Sequence, residues 1–150
     1  MALNVNVEVR GLRQLRRRLS SYDASVQRGV RSALVTAGNA AVSEAKTRIQ
    51  RGPHGNGRIY RRRRSDGSVV EHQASAPGFP PASDLGGLAS STRLDRSEIN
   101  NLTVILRNDL KYAAYLESGT RTMAARPVFV PAAQAQVQQL IQDIQVALRP

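Results

Sequence analysis

The chain contains no cysteine and no tryptophan among its 150 residues. Without thiols, disulfide frameworks, cysteine nucleophiles and cysteine-ligated zinc sites are excluded. Aromatic residues are scarce, four Tyr and two Phe, fewer than the stacking platforms that hold single-stranded nucleic acids require. The two histidines, His54 and His72, lie outside any H-x-x-x-H spacing and read as solvent-exposed loop residues. No apolar run approaches the roughly 18–20 residues of a membrane-spanning helix. The opening MALNVNVEVR alternates apolar and polar residues instead of forming the apolar block of a secretory signal. A soluble product made in a reducing cytoplasm, with no membrane partner, is the expectation. Phosphate-cradling G-x-x-x-x-G-K-[ST], G-x-G-x-x-G and G-x-S-x-G frames are missing as well. The carboxylates are scattered singly, so no acid/base pair is indicated. The chain is therefore expected not to be an enzyme and to need no cofactor and no metal.

What the chain has in excess is arginine. Of 22 basic residues only Lys46 and Lys111 are lysine, and the net charge is +11. Residues 1–64 carry 15 basic and 3 acidic side chains, a net of +12, whereas residues 65–150 carry 7 and 8, a net of −1. The planar guanidinium suits carboxylates and phosphates, which points to a large acidic or nucleic-acid neighbour. A GC-rich genome that writes Arg for Lys gives the same bias.

Leu3, Val5, Val7 and Val9 alternate with polar residues, a strand with one wet face. Leu12, Leu15 and Leu19 repeat at helical spacing after Gly11. Ser20, Ser21 and Asp23 then break the chain and supply an N-cap. Residues 24–50 form the strongest helix, with Val26, Val30, Ala33, Leu34, Ala37, Ala41, Ala45 and Ile49 on one stripe. Gly29 and Gly38 each weaken it by about 1 kcal/mol relative to Ala, and are read as permitting close approach of a neighbouring element. Residues 51–87 differ in composition. Ser65-Asp66-Gly67 between two extended segments signals a hairpin. With few Leu, Ile or Val nearby it is expected to project as an arm, and a Pro/Gly-rich loop ordered on assembly follows over 74–87. One helical turn is read over Gly87–Thr92. A strand is read over 102–107, a short helix around Ala113–Leu116, an extended stretch over Arg126–Val130 and a terminal helix over 132–148. The fold class is α+β: a small, mostly antiparallel sheet packed against a long helix and a C-terminal helix, in a single domain 1–150.

Within the arm, Arg61, Arg62, Arg63 and Arg64, with Arg58 before them, could contact phosphates. Only Tyr60 lies close enough to stack a base, and no nucleic-acid reading motif accompanies it. An acidic protein surface is the partner favoured for these six residues, with a direct nucleic-acid contact and a merely solvated arm as the other readings.

The segments ASAPGFPPASDLGGLASST (74–92) and YAAYLESGTRTMAARPVFVPA (112–132) resemble the HK97 gp10-like family of tailed-bacteriophage neck or tail-completion proteins. Tyr112, Ala113, Tyr115, Glu117, Gly119, Thr120, Met123, Ala125, Arg126, Pro127, Pro131 and Ala132 fall on the family's Y-A-x-Y-x-E-x-G-T and A-R-P-F-x-x-P-A places. Gly11, Leu12 and Leu15 before a long helix also match. Leu85, Ser118 and Val128-Phe129 depart from the pattern. The resemblance implies a structural virion protein that forms a ring, most simply a hexamer, at the head–tail junction. Its partners would be other copies of itself, head–tail connector proteins, and tail-tube or tail-terminator proteins. Genomic DNA would pass through the channel without sequence recognition. The chain would be made in the bacterial host cytoplasm and reside in the virion neck. A tail-terminator-like cap of the tube and a small basic DNA-binding protein are the alternatives. Physically the motif reads as structural: Tyr112 and Tyr115 face one way into packing, Gly119 stops the helix in a left-handed conformation, and Glu117 pairs with Arg121 or Arg126, within the subunit or across a ring interface.

Overall fold

A computed structural model describes residues 3–5, 12–19, 22, 24–82 and 86–149. In chain order the elements are β1 (Leu3–Val5), α1 (Leu12–Leu19), α2 (Ala24–Arg51), β2 (Ile59–Arg63), β3 (Val69–Gln73), α3 (Gly87–Ser90), β4 (Thr92–Asp95), β5 (Ile105–Asn108), α4 (Lys111–Ser118), α5 (Phe129–Gln134) and α6 (Val137–Ala147). The outer part of the first expected strand, Ser20, Ser21 and Asp23 of the expected break and cap, and Leu85 lie outside the described residues.

Helix α2 buries Val30, Ala33, Leu34, Gly38, Ala41, Ala45 and Ile49, a stripe at three- and four-residue steps that can meet neighbours along its whole length. It packs against α5, α6, α3, β4 and β5. The small residues set the spacing. A Cβ at Gly38 would stand 2.6 Å from Leu94 Cδ1, and one at Gly29 would stand 3.0 Å from Ala147 Cβ. Both glycines thus mark close approach, one to the sheet and one to α6.

The sheet is antiparallel throughout, in the order β1-β5-β4. Together with the helices it makes an α+β fold, as the periodicity implied. The core divides along α2. Ala45 and Ile49 meet Leu88, Leu106, Ala113, Phe129 and Ala132 at one end. At the other, Val30, Ala33 and Leu34 meet Leu19, Leu102, Leu140 and Ile144. Between strands and helices sits a buried polar knot. Thr92 Oγ1 donates to the Leu88 carbonyl at 2.8 Å, and Asn108 Nδ2 donates to the same carbonyl at 2.8 Å and to Thr92 Oγ1 at 2.9 Å. Asn108 Oδ1 accepts the Leu110 N–H at 3.1 Å.

Several boundaries differ from the sequence reading. The strand expected over 102–107 starts at Ile105. Ile99–Asn101 form a 3-10 turn, and Leu102 takes a left-handed φ of 55°. Burial of the Leu102 side chain in the core holds that backbone against its steric preference. The inward set is nonetheless the expected one, with Leu102 and Leu106 buried and Val104 packed against the core. Strand β4 was not placed by sequence, because four residues, T-R-L-D, are too few to establish a period of two. Residues 126–130 are not extended throughout: α5 begins at Phe129, and Pro131 sits in its first turn, where a helix leaves N–H groups unpaired and tolerates proline. The terminal helix is two helices, parted at Ala135 and Gln136 by a tight turn in which the Gln136 N–H reaches the Ala133 carbonyl at 3.1 Å.

Candidate interaction surfaces

The segment that carries the resemblance folds as one unit, α4–turn–α5. Ala113 is fully buried and anchors α4. Tyr112 and Tyr115 are instead 47% and 59% exposed, so they do not face into the subunit's own packing as expected. One turn of helix puts positions 112 and 115 on neighbouring parts of a surface, and here that surface is wet. Gly119 ends the helix with φ 75° and ψ −179°. The positive φ agrees with the expectation but ψ does not; this extended region is open essentially to glycine alone. A Cβ there would also lie 2.8 Å from both the Ala125 nitrogen and the Met123 oxygen. Thr120 then closes a tight turn: its backbone N–H donates to the Met123 carbonyl at 2.8 Å, and its Oγ1 accepts the Met123 N–H at 3.1 Å. The Arg126 N–H returns to the Leu116 carbonyl at 2.7 Å, and Pro127 leads the chain into α5.

Glu117 pairs with neither Arg121 nor Arg126. Its Oε2 accepts the N–H groups of Val128 at 2.8 Å and Phe129 at 3.0 Å, and its Oε1 accepts that of Val130 at 2.8 Å. These are the free donors at the start of α5, and the next residue, Pro131, has no N–H to satisfy. A helix with no capping side chain of its own is thus capped by a carboxylate from the preceding helix, whose negative charge also suits the helix N-terminus. Sequence spacing gives no hint of this, since the cap lies twelve residues before the first residue of the helix rather than beside it.

The arginine cluster lies on a two-stranded hairpin, β2 paired with β3 in the register Tyr60↔His72 and Arg61↔Glu71. Every residue of β2 is exposed, and β3 alternates exposed with half-buried. At the tip the Arg64 N–H donates to the Ser68 carbonyl at 2.8 Å. Asp66 Oδ1 accepts the Ser68 N–H at 2.9 Å and the Ser68 hydroxyl at 2.6 Å, and these bonds, the hydroxyl first, hold the Asp66 carboxyl below its usual range. Arg61 Nε pairs with Glu71 at 2.7 Å, and the Arg58 guanidinium lies 5.5 Å over the Tyr60 ring. The segment Arg58–Arg64 thus brings five arginines to a hairpin whose acidic residues are Asp66 and Glu71.

The histidines are placed differently from the expectation. His54 is half-buried, its Nδ1 3.1 Å from the Pro80 carbonyl. His72 is a half-buried strand residue of β3. The loop after β3 has bonds of its own: the Ala76 N–H donates to the His54 carbonyl at 2.7 Å and the Gly78 N–H to the Ala125 carbonyl at 3.1 Å.

Sequence reasoning also missed a charged quartet on the sheet. Arg93 and Arg107 face each other across β4 and β5, a repulsive placement. Asp109 pairs with Arg93, and Asp95 pairs with Arg107 at 3.0 Å. Among the described residues no three His, Asp or Glu side chains gather where a metal ion could be held. No helix there is long and apolar enough to cross a membrane. No protein-family model matches the chain, and no curated protein or solved structure is significantly similar to it.

Proposed function

We propose that this chain is a structural virion protein of a tailed bacteriophage, forming a ring of six copies in the neck that joins the DNA-filled head to the tail. The observation that carries the reading is the contrast inside the α4–α5 unit. Glu117, Gly119 and Thr120 are spent on holding its backbone, while Tyr112 and Tyr115 stand exposed on α4. Large aromatics at a surface mark contact with another chain, because they bring much apolar area at little entropic cost. The exposed arginine hairpin adds a second surface suited to an acidic neighbour. Both features serve assembly, and neither arranges groups for turnover. The chain acts here as a non-enzymatic joint, in contact with connector and tail proteins and with DNA that passes without being read.

Cryo-electron microscopy of the intact particle tests this. A closed ring of this fold at the head–tail junction is the expected result. Virions that lack the chain, or that carry it only at the distal tail, would remove the reading. A ring at the head-proximal end of the tail tube in headless tails would move it to a terminator.

A further inference from the structure

A cavity of about 390 Å³ opens between α3, α4 and the chain after β3. Its apolar walls include Leu88, Leu110 and Leu116, and its polar lining includes Ser75, Tyr112 and Arg126; among the described residues no acidic side chain lines it. Ser75 is only 2% exposed, and its Oγ has no hydrogen-bond partner. The Arg126 Nε is likewise buried without a partner, and Arg126 takes part in no ion pair among the described residues. A guanidinium with no counter-charge among the described residues, lining the same cavity as an unmet hydroxyl, calls for an oxyanion. A carboxylate fits both groups, since it accepts from a guanidinium and from a hydroxyl at once.

The complementary group is also present on the chain. Of the acidic side chains in the described residues, Glu44, Asp66, Glu71, Asp95, Asp109, Glu117 and Asp143 each have a hydrogen-bond or ion-pair partner. Glu98 is exposed and has none. It is held in a defined turn, its carbonyl accepting the N–H groups of Asn101 at 2.8 Å and Thr103 at 3.3 Å. That turn joins β4 to β5 beyond the Asp95↔Ile105 pair, whereas the cavity walls Leu88 and Leu110 flank the opposite end, at Thr92↔Asn108. Donor and acceptor thus sit at opposite ends of one β-hairpin, which favours pairing between copies over pairing within one.

We propose that Glu98 of an adjoining copy completes the cavity, its carboxylate pairing with Arg126 and accepting the Ser75 hydroxyl while Tyr112 packs at the rim. The contact is head-to-tail, the kind that closes into rings. It rests on the ring proposed for the neck and names the contact that builds it.

The lack of native cysteine makes the test specific. The double variant Glu98→Cys/Tyr112→Cys, oxidised in solution, should give a ladder of disulfide-linked oligomers beyond dimers, and each single variant should give dimers at most. Glu98→Gln should weaken self-association in sedimentation analysis by about tenfold or more, as loss of one partner of a desolvated charge pair does. Arg126→Gln should do the same with the circular dichroism spectrum unchanged. A double variant that yields no ladder, a Glu98→Gln chain that associates like the wild type, or a wild type that stays monomeric would each overturn the proposal. A ladder from a chain absent from virion necks would keep the contact and remove the neck. A neck ring without the ladder would do the reverse.

Discussion

Glu117 accepts the backbone N–H of Phe129, twelve residues further on, at 3.0 Å, and closes α4 onto α5 through a single carboxylate. Because Val128 and Val130 donate to the same group, three helix-start donors depend on one side chain. Glu117→Ala leaves them without a protein acceptor in a half-buried site. It should cost about 2–3 kcal/mol, the upper range for a lost helix cap and unmet donors. Glu117→Gln retains one acceptor oxygen but turns an N–H₂ group toward a donor, and should cost less. Urea unfolding of the two variants checks both the size and the order. Equal stability of Glu117→Ala and the wild type would mean that α5 is held by its burial alone.

Asn108 ties three elements together. It is 1% exposed and reaches Leu88 before β4, Thr92 within it and Leu110 before α4. Asn108→Leu keeps the branching and heavy-atom count of the side chain and removes every bond it makes, stranding the Leu110 N–H and a Thr92 lone pair. A loss of about 2–4 kcal/mol is expected, since unsatisfied buried groups cost more than the bonds themselves contribute. Thr92→Val leaves the Leu88 carbonyl with its Asn108 bond and should cost about 1–2 kcal/mol. Thermal melts of the two proteins give the comparison.

These residues show where sequence reading reached its limit. The stripe on α2 was legible because burial repeats with the helix over 28 residues, and one side of the pattern had to be apolar. The hairpin was legible because Asp66-Gly67 and its flanks are local signals. The close approach at Gly38 followed from a costly residue in a strong helix. In contrast, Glu117, Asn108 and Arg93 act on groups 11 to 20 residues away, and a polar side chain carries no periodicity that names its partner. The tyrosines at 112 and 115 were placed on one face correctly, but spacing alone does not say whether that face meets its own core or another chain.

The charged quartet makes stability depend on acid. The Asp109 carboxyl is held below its usual range first by the hydrogen bond from Arg93, then by the charges of Arg93 and Arg107. Asp95 is held down first by the Ser97 N–H, then by the Ser97 hydroxyl and the two arginines. Carboxylates whose values are lowered on folding bind protons more readily when unfolded. Their contribution is therefore present above the unfolded value and lost as pH falls through the folded one. Melting temperature should decline below about pH 4. The double variant Asp95→Asn/Asp109→Asn should decline less steeply over the same range. An identical acid profile in both proteins would assign the effect to other carboxylates.

The arginine hairpin offers the sharpest separation between the proposed function and its rival. Replacing Arg61, Arg62, Arg63 and Arg64 by Ser removes charge from a strand and turn that are exposed throughout. The Arg61–Glu71 ion pair on that strand is 76% and 54% exposed, and such pairs contribute little to stability. The fold should therefore remain, with a melting temperature close to the wild type. If the hairpin docks an acidic neck protein, complementation with the quadruple variant should leave heads and tails unjoined, and partner association should weaken as salt is added. If it serves DNA, the isolated wild-type chain should bind duplexes of any sequence with a steep salt dependence, and the four changes should abolish that binding. The Arg58 guanidinium over Tyr60 already covers one face of the ring a base would need, which weighs against stacking. Normal virion yield from the quadruple variant would take the hairpin out of neck assembly. Tight duplex binding by the wild type would instead favour the DNA-binding reading.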